Sequence, residues 1–144
     1  MNDKIKNELK EWCKTVILAI IIYLFISIFI FSTRVDGLSM YPTLNNRDFL
    51  ITTRTYLNKG FDQGDIIVFK SSGLGKVLIK RVIGVEGDTV KIENKKVYVN
   101  GVELKENYIN NETLENLEIK VEEGTYFVMG DNRQNSMDSR YDIV

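Results

Sequence analysis

The chain has 144 residues, with 44% hydrophobic, 27% charged and 10% aromatic side chains, one cysteine, one proline and no histidine. These counts exclude a Ser-His-Asp triad, a Cys-His dyad and imidazole-ligated zinc, and Cys13 alone can form neither an intrachain disulfide nor a cysteine-rich metal site. A formal net charge of −1 gives no electrostatic footprint for nucleic-acid binding.

From Val16 to Phe31 every residue is apolar except Ser27, with Tyr23 amphipathic. As a helix this run covers about 24 Å, and Trp12 to Thr33 about 33 Å, against a hydrocarbon core of about 30 Å. A small soluble domain does not readily enclose a helix that is apolar all the way round, so one transmembrane helix is predicted over residues 15–33. A cleaved leader has an apolar region of about 7–15 residues ending in an Ala-x-Ala-like site. The run here is longer and leads into Ser32-Thr33-Arg34, which reads as an uncleaved anchor. Lys4, Lys6, Lys10 and Lys14 precede the span and Arg34 alone follows it closely. The positive-inside rule then puts residues 1–14 in the cytoplasm and residues 34–144 on the extracytoplasmic face of a single-pass membrane protein. Trp12 and Tyr23 read as interfacial anchors or lipid-facing residues, and Cys13 as an inert thiol at the membrane boundary.

Residues 35–144 carry 14 basic and 17 acidic side chains, so this part is not a polybasic membrane binder. Short runs rich in β-branched and aromatic residues predict strands at Phe49–Thr55, Ile66–Lys70, Val77–Ile83, Thr89–Glu93, Lys96–Val99 and Tyr126–Met129. Between them, Ser71 to Gly75, Gly84 to Gly87, Asn94-Lys95 and Asn100-Gly101 read as turns where Gly or Asn supplies positive φ, and antiparallel hairpins follow. The Asn- and Glu-rich stretch from Leu104 to Gly124 reads as a peripheral, solvated excursion with one short strand near Leu117–Val121.

Without histidine, a hydrolase needs serine with lysine, threonine with its own amino terminus, paired carboxylates or carboxylate-held metal. Ser39-Met40-Tyr41-Pro42-Thr43 holds the chain's proline, which fixes its own φ and pushes Tyr41 toward an extended conformation, so Ser39 sits beside a rigid turn. Taken alone, such a serine is most simply a loop residue. In Val77 to Ile83 a lysine interrupts an apolar strand, and alternation sets Lys80 on the face of Leu78 and Val82. Burial there lowers the amine's pKa from its reference of about 10.4 and equips Lys80 to deprotonate Ser39. The competing reading has Lys80 reaching solvent and Arg81 pairing with a carboxylate. A dense polar run, Gly130 to Arg140, follows the last strand. If extended, it places Ser136, Asp138 and Arg140 on one face, where Asp138 and Arg140 can pair bidentately and Ser136 can hydrogen-bond a neutral amine.

These residues resemble the bacterial type I signal peptidases: Ser39–Thr43, Gly64–Phe69 (GDIIVF), Lys80–Asp88 (KRVIGVEGD) and Gly130–Arg140 (GDNRQNSMDSR) occur in that family's order behind an amino-terminal anchor. The resemblance implies a mostly β fold, a single transmembrane helix followed by an antiparallel β catalytic domain. It implies Ser39 as nucleophile, Lys80 as general base, Ser136 as the residue that positions the lysine, Asp138 and Arg140 as loop supports and Met40 at the site. The Ser39 backbone N–H would be the first oxyanion donor; Gly37 stands where some members have a serine whose hydroxyl is the second. Gln63 and Glu86 stand where the family often has proline, and the chain stops four residues after Arg140, so the expectation is a domain short of a carboxyl-terminal strand.

No metal or organic cofactor is implied. The implied substrates are signal peptides of secretory preproteins, cut after small residues of the Ala-x-Ala type, with the lipid bilayer and secretion machinery as partners and no nucleic acid. Five residues separate Ser39 from Arg34, which keeps the serine within about 18 Å of the end of the anchor. Two alternatives stay open: a truncated, inactive homologue that binds precursors without cutting, and a processing peptidase dedicated to one pilin or surface protein. Soluble Ser/Lys self-cleaving repressors share the dyad logic but not the span.

Overall fold

In the computed structural model residues 3–54 and 60–141 are described. Thr55, expected at the end of the first predicted strand, and the terminal residues 142–144 lie outside them. The chain divides into two compact units, Met1–Thr33 with Leu50–Lys59, and Arg34–Phe49 with the rest from Gly60 onward.

The first unit is built on α1 (Asp3–Phe29), whose 27 residues span about 40 Å. It contains no glycine or proline, and its hydroxyls bond within the helix: Thr15 Oγ1 donates to Glu11 O at 3.0 Å and Ser27 Oγ to Leu24 O at 2.8 Å. Thr15 and Ser27 therefore need no water for their hydroxyls, as an apolar solvent requires. The stretch Ile5–Phe29 is long and apolar enough to cross a membrane, and none of its most apolar part is buried inside the protein.

The helix ends four residues earlier than hydropathy predicts. Ile30–Arg34 forms strand β1, paired with β2 (Phe49–Thr53). Arg54 N–H donates to Phe29 O at 3.1 Å and Thr52 Oγ1 to Phe31 O at 3.0 Å, so the chain leaving the helix finds its partners in another segment. Ile30, Phe31 and Thr33 are β-branched or aromatic, and hydropathy cannot distinguish an apolar strand from one more turn of apolar helix.

The second unit holds two sheets. In the first, β3 (Ile66–Lys70), β4 (Val77–Gly84) and β9 (Phe127–Met129) lie in the order β3-β4-β9, antiparallel throughout. The second sheet contains β5 (Thr89–Glu93), β6 (Lys96–Val99), β7 (Val102–Glu103) and β8 (Leu117–Lys120) in the order β7-β6-β5-β8. Three strands match the sequence-predicted limits, and β7 is a two-residue addition. Asn94 and Lys95 have φ of 52° and 66°, and Asn100 and Gly101 have 52° and 80°. Positive φ at both central residues of a two-residue hairpin matches the right-handed twist of its strands.

Alternation divides β4 between two cores. Val82 packs with Ile67 and Val128, while Ile83 joins Val90, Ile92, Val97, Val121, Phe127 and Met129. At Gly84 the β4–β9 register shifts, and a Cβ there would stand 2.6 Å from Val90 Cγ2. The glycine therefore lets the end of β4 lie against the buried face of β5. Gly84→Ala is expected to destabilise the fold by about 1–3 kcal/mol through overpacking. In urea unfolding of the full chain in detergent, the Gly84→Ala/Val90→Ala double variant should lose less stability than the sum of the single changes, because the smaller side chain relieves the clash.

Candidate active site

Ser39 lies on a loop of the second unit whose base is closed by backbone bonds. Val35 N–H donates to Asp48 O and Arg47 N–H to Val35 O, both at 2.9 Å. Tyr41 N–H donates to Leu38 O at 3.1 Å and Leu44 N–H to Met40 O at 2.9 Å, winding residues 38–44 into a tight turn that contains the cis Tyr41-Pro42 peptide. Met40 is buried at 1% exposure directly beside Ser39. Gly37 has φ of 98°, and its N–H is already committed to Asn46 Oδ1 at 3.0 Å. Gly37 thus carries no hydroxyl, and its N–H is taken by Asn46.

Lys80 comes from the middle of β4, paired with Ile67 of β3. It is 2% exposed and does not reach solvent. Its Nζ lies 2.8 Å from Ser39 Oγ. A charged amine donates in this contact, whereas a neutral amine accepts the serine proton, which is the arrangement a general base requires. Burial lowers the Lys80 pKa below the usual lysine value; the negative charge of Asp138 opposes this and the positive charge of Arg140 assists it.

Arg81, the next residue along β4, takes the carboxylate partner that the sequence left open. Its Nε and Nη2 donate to the two oxygens of Asp131 at 2.9 and 2.7 Å, and Nη1 donates to Gly64 O at 2.8 Å. The guanidinium carbon lies 4.0 Å from the centre of the Tyr108 ring. Thr43 Oγ1 donates to the same Asp131 carboxylate, which ties the Ser39 loop to β4 through the last motif. The hydrogen bonds to Asp131 raise the Arg81 pKa.

The last motif is not a continuous extended segment. A 3-10 turn at Arg133–Asn135 and another at Ser139–Tyr141 flank an extended Ser136. Asp138 and Arg140 pair bidentately, with Nε to Oδ1 at 2.8 Å and Nη2 to Oδ2 at 3.0 Å, and both side chains are fully buried. Asp138 Oδ2 also accepts from Gly130 N–H at 2.9 Å and from Ser136 Oγ at 2.7 Å. The Ser136 hydroxyl proton thus goes to Asp138, not to the lysine amine: an ionised carboxylate is the stronger acceptor. A Cβ on Gly130 would stand 2.2 Å from Ser136 Oγ and 2.5 Å from Ser39 O, so only glycine allows these segments to approach.

Sequence reasoning missed the partners supplied by the Leu104–Gly124 excursion. Arg133, fully buried, bonds both oxygens of Glu106 and Thr113 Oγ1, the latter at 2.9 Å. Arg140 Nη1 donates to Glu115 at 2.8 Å. Asn111 Nδ2 donates to Asn132 Oδ1 at 2.8 Å. A partial signal was available: a buried arginine requires a carboxylate, and the Leu104–Gly124 stretch is rich in glutamate. Among the described residues no group of three or more Asp, Glu or Cys is placed to hold a metal ion.

Comparison with known proteins agrees with this architecture. The family model described as signal peptidase, peptidase S26, matches residues 9–143. Signal peptidase I S of Bacillus subtilis is 41% identical, covering 94% of this chain and 80% of its own length, and signal peptidase I of Bacillus licheniformis is 39% identical over the same shares. A crystal structure of a signal peptidase I from Enterococcus faecalis superposes with a TM-score of 0.52 at 36% identity, covering 57% of this chain and 86% of that one. The chain belongs to the signal peptidase I family. It is a hydrolase of signal-peptide processing, and α1 is its membrane anchor.

The charges around Lys80 set the sign of a test. Asp138→Asn removes the charge that raises the amine's pKa, so the Lys80 titration midpoint should move to lower pH. Arg140→Gln removes a charge that lowers it, so the midpoint should move to higher pH. The 13Cε resonance of Lys80, followed through a pH titration of the full chain, reads both directions.

Proposed function

We propose that Ser39 is the nucleophile and Lys80 the general base of a peptidase that cuts signal peptides from exported preproteins after small residues of the Ala-x-Ala type. The observation that carries this reading is the 2.8 Å contact between Ser39 Oγ and an amine buried in a β-strand. Neutral Lys80 takes the hydroxyl proton as Oγ bonds to the scissile carbonyl carbon. The oxyanion formed there is met by the Ser39 N–H, which has no acceptor among the described residues. The lysine ammonium then gives its proton to the departing amine as the C–N bond breaks, leaving an ester on Ser39. Water attacks that ester, Lys80 again accepting the proton, and the serine is restored. Ser136 acts in this scheme through Asp138, fixing the carboxylate beside the amine.

The lysine-rich side of α1 lies in the cytoplasm by the positive-inside rule, so the β-rich unit works on the extracytoplasmic face. Export machinery is a fitting neighbour there, because precursors emerge on that side. Orientation is open to protease protection in sealed vesicles.

Ser39→Ala and Lys80→Ala should each reduce precursor cleavage roughly 10³-fold or more. Lys80→Arg should be equally inactive, because a guanidinium does not give up its proton. Since only the neutral amine is a base, kcat/KM should rise with pH through a midpoint below the ordinary lysine value and fall away on the acid side. Mass spectrometry of an Ala-x-Ala precursor treated with detergent-solubilised full-length protein locates the cut, and cleavage by Ser39→Ala protein would refute the assignment.

A further inference from the structure

One residue holds both peptide groups that flank Ser39. The backbone N–H of Asn132 donates to Ser39 O at 2.9 Å, and its side-chain Nδ2 donates to Leu38 O at 3.1 Å. The Leu38 carbonyl belongs to the same planar peptide as the Ser39 N–H, so fixing that oxygen fixes the direction of the N–H on the opposite side. Leu38 O also accepts from Tyr41 N–H at 3.1 Å, so both its acceptor positions are used.

A side-chain amide can present either its oxygen or its nitrogen after a half-turn, and only the nitrogen suits a carbonyl. Asn132 Oδ1 accepts from Asn111 Nδ2 at 2.8 Å, which selects the useful orientation. Turning Asn132 over would set two NH2 groups against each other at one end and two oxygens at the other. Among the described residues Asn111 Oδ1 is itself buried without a hydrogen-bond partner, and the side-chain contact its amide makes there is the donation to Asn132. A half-satisfied amide whose one donation orients Asn132 against the Ser39 loop is a cost that function can explain.

We infer that Asn111 and Asn132 form a clamp of two amides that aims the Ser39 N–H as oxyanion donor, with Asn111 a positioning residue supplied by the excursion between β7 and β8. The inference rests on Ser39 being the nucleophile. Asn111→Ala leaves Asn132 free to turn over. Asn111→Asp is worse, because a carboxylate accepts rather than donates; it draws Asn132 Nδ2 toward itself and turns Asn132 Oδ1 to face Leu38 O.

The test uses the detergent-solubilised full chain and an Ala-x-Ala precursor. The expected order is a kcat loss of about 10-fold for Asn111→Ala and about 100-fold for Asn111→Asp. KM and the midpoint of the Lys80 pH limb should be unchanged, because neither precursor binding nor the amine is touched. Near-UV circular dichroism follows folding, and Asn111→Ser stands in should the aspartate variant not fold. Wild-type kcat in all variants, an aspartate variant no slower than the alanine one, or a loss confined to KM would each overturn the clamp. Ser39→Ala separates the two layers: retained cleavage removes the nucleophile assignment and the clamp with it, while lost cleavage with unaffected Asn111 variants removes the clamp alone.

Discussion

A lysine amine kept out of water and against a serine hydroxyl is the constraint that organises this unit. An ammonium in an apolar strand is costly, and the protein meets that cost by holding the amine in an environment that favours its neutral form. Lys80 pairs with Ile67 of β3, and β9 joins the other side of β4 from Arg81 onward, so the strand that carries the amine is held by two antiparallel ladders. An amine on so regular a support needs its serine brought to it, and that task falls to loops.

The loops are held by arginine–carboxylate pairs in addition to the buried Met40. Arg81–Asp131, Arg133–Glu106 and Arg140–Asp138 each use a planar guanidinium against a carboxylate, a geometry that fixes orientation as well as distance. Such pairs, largely withdrawn from water, contribute little net stability against an apolar replacement, but losing one partner leaves a charge uncompensated. Arg140 also balances Asp138 in its effect on Lys80, so the scaffold and the amine's protonation are set by the same side chains.

The strands of the β-rich unit were legible because alternation and turn residues are local signals. Thr89–Glu93, Asn94-Lys95 and Lys96–Val99 form a hairpin that the sequence spells out residue by residue. The end of α1 was not legible, because Ile30 to Thr33 suit helix and strand alike until β2 is present. Leu104–Gly124 read as solvated for a related reason: Glu106, Asn111 and Glu115 look like surface residues until the arginines and the amide they serve are brought beside them.

By itself the sequence determined an apolar segment long enough for a bilayer, an exclusion of histidine chemistry, and an ordered set of motifs containing Ser39, Lys80, Ser136, Asp138 and Arg140. Composition and hydropathy carry the first two, and the third is read as a resemblance, each motif being a run of neighbouring residues. Only the tertiary structure decided that Lys80 meets Ser39, that the Ser136 hydroxyl serves Asp138, that Gly37 N–H is occupied and that Asn111 reaches the Ser39 loop through Asn132. Those contacts join residues far apart in sequence, and a hydrogen bond is chosen by which donor and acceptor the fold brings within about 3 Å, a competition that no local pattern records.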